Sequence, residues 1–99
     1  MKTITSSKQD IDLADCLKAV GDPHRLQILR MLQDGERCVC EIHGPLCLPQ
    51  NLASHHLKAL REAGLVRTRR DGRNIIYSLN PEGFKIVAGM LDEMIKGGR

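Results

Sequence analysis

At Gly64 the hydrophobic period of this 99-residue chain changes from that of a helix to that of a strand. No other feature narrows the possible folds as much. Before the change, the stretch from Asn51 to Gly64 places Leu52, His56, Leu57, Leu60 and Ala63 at the three- and four-residue spacing of a buried helical stripe. After it, Leu65-Val66-Arg67-Thr68-Arg69-Arg70 and Arg73-Asn74-Ile75-Ile76-Tyr77-Ser78-Leu79 flank Asp71-Gly72, and Asp-Gly between two β-rich runs signals a hairpin. An amphipathic helix that runs directly into a hairpin leaves few architectures open to so short a chain.

The charge on these two elements points to a partner. The outer face of the helix carries Asn51, Ser54, His55, Lys58 and Arg61, with no acid before Glu62, and Gln50 stands in the turn ahead of it. Short polar side chains address base edges, and lysine and arginine reach guanines or phosphates. The hairpin adds Arg67, Arg69, Arg70 and Arg73 around a single Asp71. Net charge is only +3, so the placement of charge carries the argument and not its total. Each element alone could be a solvated surface; in this order they predict a DNA-binding pair, a reading helix beside a phosphate-gripping wing.

Upstream, the spacing predicts a helix from about Asp10 to Val20 with Leu13, Cys16, Leu17 and Val20 inward. A second helix is capped by Asp22 with Pro23 at its first position, buries Leu26, Ile28, Leu29 and Leu32, and ends at Asp34-Gly35. A short third helix starts near Cys38, includes Val39, Ile42 and Leu46, and is broken at Gly44-Pro45. Pro49-Gln50-Asn51 is a turn, with Asn51 capping the reading helix. Asn80-Pro81 opens a last helix to about Lys96, striped with Phe84, Val87, Ala88, Leu91, Met94 and Ile95, with Met90 beside them.

The fold class predicted is mainly α with a β-hairpin: a winged helix-turn-helix of about five helices plus a two-stranded wing. Residues 1–9 are read as a flexible N-terminus and 10–96 as one DNA-binding and dimerisation domain. With Tyr77 and Phe84 the only aromatics, the core must be aliphatic. So apolar a last helix predicts a homodimer through the first and last helices, which would set two reading helices one turn apart on palindromic double-stranded operator DNA. No apolar run is long enough to span a membrane, and the start lacks a signal-peptide core, so the expected location is cytoplasmic. No catalytic constellation appears: neither a Ser/His/Asp pattern, nor a phosphate loop, nor a carboxylate pair. The expectation is not an enzyme.

These residues also carry a family signature. Leu17 to Leu26, LKAVGDPHRL, is similar to the LKALADPTRL opening of the ArsR/SmtB family of bacterial winged-helix metal sensors. Cys38-Val39-Cys40-Glu41-Ile42 resembles its ELCVCDL box. Ser54 to Val66 resembles its SxHLxxLxxAGLV recognition helix, and Gly72-Arg73 through Tyr77-Ser78-Leu79 its wing. The likeness covers roughly residues 13–95. It implies a homodimeric transcriptional repressor that leaves its operator when an inducer binds, with arsenic- and cadmium-sensing branches that ligate their ion at the positions of Cys38 and Cys40.

Four cysteines in a chain of this class are expected as thiols or metal ligands, not disulfides. Two adjacent thiolates prefer a soft ion, As(III) or Sb(III) first, then Cd(II), Pb(II) or Zn(II). The arsenic branch carries a third cysteine where this chain has His43. Cys47 is the other source of a ligand, although on an unbroken helix it would lie roughly 10 Å from Cys40. His43 is spaced to face both Cys40 and Cys47, and a Cys/His mixture suits Zn(II) or Cd(II). Cys16 is a lesser candidate, since it sits in an apolar stripe. His56 reads as a hydrogen-bonded structural histidine and His24 as helix surface. A second family site on the last helix uses histidines; here that helix offers Glu82, Asp92 and Glu93 and no histidine, so that site is expected to be absent. Two other readings stay open: a repressor sensing oxidants or reactive sulfur through its thiols, and, from another class, a small thiol oxidoreductase built on Cys38-Val39-Cys40. A protein-interaction winged helix without DNA binding is disfavoured by the intact basic face.

Overall fold

The structure, a computed structural model, describes residues 11–96. Asp10 and the N-terminal segment expected to be flexible lie outside the described residues. The elements are α1 (Leu13–Val20), α2 (Pro23–Gln33), β1 (Arg37–Cys38), α3 (Cys40–His43), α4 (Gln50–Glu62), β2 (Val66–Asp71), β3 (Asn74–Leu79) and α5 (Pro81–Lys96). The fold is a winged helix-turn-helix. Among the described residues, no helix is long and apolar enough to cross a membrane.

Local chemistry sets most boundaries. Asp12 accepts the backbone N–H groups of Ala14 and Asp15, which starts α1 at Leu13. Asp22 does the same for His24 and Arg25, with Pro23 in the first turn of α2. Gly72, at φ 66°, opens the two-residue loop between Asp71 and Asn74, as hairpin loops with glycine first require. The start of α4 differs from expectation. Its N-cap is Pro49, no side chain caps it, and Asn51 lies inside the helix. Proline's fixed φ and extended ψ place the turn there without an asparagine side chain.

The wing also differs. The sheet has three strands in the order β1-β3-β2, not two. Arg37 and Cys38 pair antiparallel with Tyr77 and Ile76, so Cys38 belongs to a strand and α3 starts two residues later, at Cys40. A two-residue strand is too short to leave a period in the sequence. Its effect is to fasten the Cys38 backbone to the wing.

The core is aliphatic: Ile28, Leu29, Leu32, Ile42, Leu57, Leu60, Leu65 and Val66 are buried with Cys16 and Ala19. Leu17, Leu26 and Leu52, which the spacing turns inward, are exposed; Ala19 and Ala53 are buried alongside the expected Cys16, Ile28, Leu29, Leu32, His56, Leu57 and Leu60. On α5 the stripe divides. Phe84 and Val87 pack against the core, while Leu91, Met94 (66% exposed) and Ile95 (80% exposed) do not. Gly83 is buried in the first turn of α5, against the carbonyl of Gly64, which accepts a 2.9 Å hydrogen bond from Asn80 Nδ2.

Candidate nucleic-acid interface and cysteine site

Helix α4 presents two faces because Ala53, His56, Leu57 and Leu60 anchor its inner side. That anchoring leaves Gln50, Asn51, His55, Lys58 and Arg61 exposed, with Ser54 half-buried. On the wing, Arg67, Arg69, Arg70 and Arg73 are exposed. Arg69 is not a free cation. Its guanidinium donates to both carboxylate oxygens of Glu36, at 3.2 and 2.6 Å. That hydrogen bond, with the attraction of the charge, holds the Glu36 carboxyl below its ordinary range and raises Arg69. Arg69 thus ties the wing to the segment ahead of β1, and the loose positive charge of the wing is Arg67, Arg70 and Arg73.

Behind α4 lies a polar contact that no periodicity could reveal, because its members are far apart in the chain. His56 is only 6% exposed, and its Nδ1 accepts a 3.0 Å hydrogen bond from Arg25 Nε on α2. An accepting nitrogen carries no proton, so the neutral ring holds its hydrogen on Nε2. His24 is half-buried, with its ring 5.6 Å from that of His56, and is not the free helix surface expected of it. Burial is the main influence on His56 and lowers its pKa; the Asp22 charge opposes this, while Arg25, His24 and His55 reinforce it. A histidine held neutral by the fold contributes stability above its ordinary pKa of 6.5, and loses it as pH falls from there toward the lower folded value. The urea midpoint is therefore expected to fall between pH 7.5 and pH 5.5. In His56→Gln, less stable throughout, that slope should flatten. An equal slope in both proteins would place the acid sensitivity elsewhere.

The cysteines are arranged differently from the expected set of free thiols. Cys38 and Cys40 are joined in a disulfide, and the free cysteines among the described residues are Cys16 and Cys47. The strand-to-helix turn at Val39 sets the two Cα atoms 5.3 Å apart, inside the range a disulfide bridges. Cys38 is buried and Cys40 exposed. Glu41 Oε1 accepts the Cys38 backbone N–H at 3.0 Å, which fixes the turn.

Cys47 and His43 are not gathered onto that pair. Cys47 is exposed and takes φ 56° in the loop before α4. His43 Nδ1 lies 3.2 Å from the carbonyl of Leu48; a carbonyl only accepts, so Nδ1 carries the proton and the lone pair is on Nε2. Cys16 is a core thiol: it donates to the Ala63 carbonyl at 3.2 Å, and burial, aided by Asp15 and Asp12, raises its pKa. Its candidacy as a ligand falls with that placement, because a buried protonated thiol is a poor donor to metal.

Comparison with known proteins gives four relationships. The profile of the family described as "Bacterial regulatory protein, arsR family" matches residues 22–68. An uncharacterized HTH-type transcriptional regulator of Methanocaldococcus jannaschii is 40% identical over 82 residues, which is 82% of this chain and 92% of that protein. The arsenical resistance operon repressor of Staphylococcus xylosus is 38% identical over 81 residues, 82% of this chain and 78% of that one. Among solved structures, the homodimeric winged helix-turn-helix DNA-binding domain of a possible ArsR-family transcriptional regulator from Mycobacterium bovis superposes with a TM-score of 0.69 at 34% identity, covering 88% of this chain and 84% of the other.

Proposed function

Since the chain belongs to the arsR family of bacterial regulatory proteins, a family of DNA-binding transcriptional regulators and not of enzymes, we propose that it is a homodimeric repressor of a resistance operon. In this reading it binds palindromic operator DNA and leaves it when a thiophilic metal(loid) takes the reduced Cys38–Cys40 pair. As(III) or Sb(III) is the first choice of ion, ahead of Cd(II), Pb(II) or Zn(II). The dimer forms through α1 and α5, where Leu17, Leu91, Met94 and Ile95 lie exposed. The DNA-facing residues are Gln50, Asn51, Ser54, His55, Lys58 and Arg61 of α4 with Arg67, Arg70 and Arg73 of the wing, Arg69 bracing the wing from behind.

One observation carries the inducer reading: the cysteine pair sits on β1 and α3, which contact both DNA-facing elements. Cys38 pairs with Ile76 of the wing, and Cys40 begins α3, which packs against α4. A disulfide leaves no thiolate for an ion, so the inducible form is the reduced one, in which two sulfurs already neighbour each other. A third ligand must then come from Cys47 or from His43 Nε2 by movement of the loop between α3 and α4. Ligation there moves the wing and α4 relative to each other, and DNA and inducer oppose one another reciprocally.

Fluorescence anisotropy of the reduced protein, on a duplex from upstream of its own gene, tests this. Arsenite should weaken binding about 10- to 100-fold, within the usual range of allosteric coupling, and Cys38→Ser should abolish the response. If Cys47→Ser also abolishes it, the third ligand is Cys47; if it does not, the site uses His43. A response to cadmium or zinc alone moves the choice of ion to a Cys/His site. The disulfide favours one second reading, a repressor that senses oxidants or reactive sulfur: release on oxidation, with no response to any ion, would replace the metal reading by it.

A further inference from the structure

Among the described residues, one group of three metal-ligating side chains has its donor atoms within 4.8 Å of one another, and it contains no cysteine: Asp22, His24 and His56. It joins the start of α2 to the buried side of α4. We infer that these three residues form a second inorganic site, for a divalent ion of borderline softness, with Zn(II) as its best match, and that ion binding there breaks the Arg25–His56 hydrogen bond.

The donor set argues for the ion class. Two imidazoles and a carboxylate suit Zn(II), with water in a fourth position, and are poor partners for the soft ions that two thiolates select. The charge states of Asp22 and His56 suit ligation. Asp22 Oδ1 takes the backbone N–H groups of His24 and Arg25, at 2.8 and 3.2 Å, while Oδ2 takes no hydrogen bond among the described residues. Burial works to raise the Asp22 carboxyl, but those two backbone donors and the charge of Arg25 outweigh it, so it is ionised at neutral pH. Burial keeps His56 neutral. In tetrahedral geometry with bonds of about 2.0–2.1 Å, donor atoms stand roughly 3.3 Å apart, so side-chain rotation of the order of 1 Å closes the set.

Arg25 is the competitor. A neutral imidazole has one bare nitrogen, and Arg25 Nε occupies it at Nδ1. An ion at Nδ1 replaces Arg25 directly. An ion at Nε2 requires the ring proton to move to Nδ1, which can then no longer accept from Arg25. Either way the guanidinium is displaced, and with it the polar link between α2 and the helix that carries the candidate DNA-reading face. His55, whose ring is 5.9 Å from that of His56, is exposed on that face.

The site is independent of the cysteines, so its test uses the oxidised protein, in which Cys38 and Cys40 offer no thiolate. Zn(II) is titrated calorimetrically into the wild type, His24→Gln and Arg25→Met, with the histidine ring protons followed by NMR. The expected result is one ion per chain, His24 and His56 signals shifting together, binding at least about tenfold weaker in His24→Gln, and tighter in Arg25→Met once the competing donor and its positive charge are gone. Circular dichroism checks that each variant is folded. Binding unchanged by His24→Gln, binding that moves only the His43 signals, or no binding by the folded wild type would each overturn the site. None of these outcomes bears on release by arsenite, which is measured on the reduced protein.

Discussion

Gly83→Ala is expected to destabilise the protein by about 2–3 kcal/mol, although alanine is the better helix former by about 1 kcal/mol. Gly83 lies within α5, where a surface alanine would help. Here a Cβ would fall on the carbonyl oxygen of Gly64, and that carbonyl cannot withdraw easily. Asn80 Nδ2 holds it at 2.9 Å, the Asn80 backbone N–H holds the neighbouring Leu65 carbonyl at 2.9 Å, and Gly64 itself sits at φ 85°, a conformation other residues resist. The start of α5 must therefore lift, which drags Phe84 and Val87 off the core. For a domain of this size each kcal/mol is worth roughly 4–8 °C, so Tm should fall by roughly 10–20 °C. The sign is the test. A Tm that rises in Gly83→Ala would mean that α5 does not seat on Gly64.

The second large effect concerns DNA. Lys58→Glu is expected to weaken operator binding by at least about 100-fold at 0.1 M salt while leaving Tm unchanged. Lys58 is exposed on α4 and makes no ion pair among the described residues, so the fold does not depend on it. A dimer carries the change twice, and each lysine that contacts a phosphate releases about one counterion on binding. The dependence of log K on log salt should thus become shallower by about two, a readout that general misfolding would not produce. Unchanged affinity would move the reading surface off α4. Arg69→Gln provides the contrast, because its charge is already spent on Glu36.

Much of this was legible in the chain. Asp12 lies outside the predicted caps, but Asp22-Pro23 and the change of period at Gly64 act through their nearest neighbours, and the boundaries they predict are observed; the hairpin loop, expected at Asp71-Gly72, falls one residue later, at Gly72-Arg73. What the sequence hid depends on contacts between distant residues. Strand β1 has two residues and exists only because Tyr77 and Ile76 lie beside it. Leu52 and Ala53 adjoin one another, and which of them faces inward is settled by the packing of the whole helix. Arg25 and His56 meet across two helices, and Asp22 and His24 join them only because α2 begins where α4 is buried. For the cysteines, the expectation is free thiols or metal ligands; that Cys38 and Cys40 lie across a strand-to-helix turn, bridged, follows from β1.

The hydrogen bonds from Asn80 to Gly64 and Leu65 have a further consequence. They clasp the chain where it leaves α4 to the point where it enters α5, so everything between is a closed excursion from the helical body. Val66, Tyr77 and Leu79, at the base of that excursion, pack on the core, whereas residues 69–74 at its tip are exposed. Lengthening a loop whose ends are already pinned costs free energy only logarithmically in its length. The tip of the wing can therefore gain or lose residues over evolutionary time, and its reach along DNA be retuned, while the helices that hold the protein together keep their places.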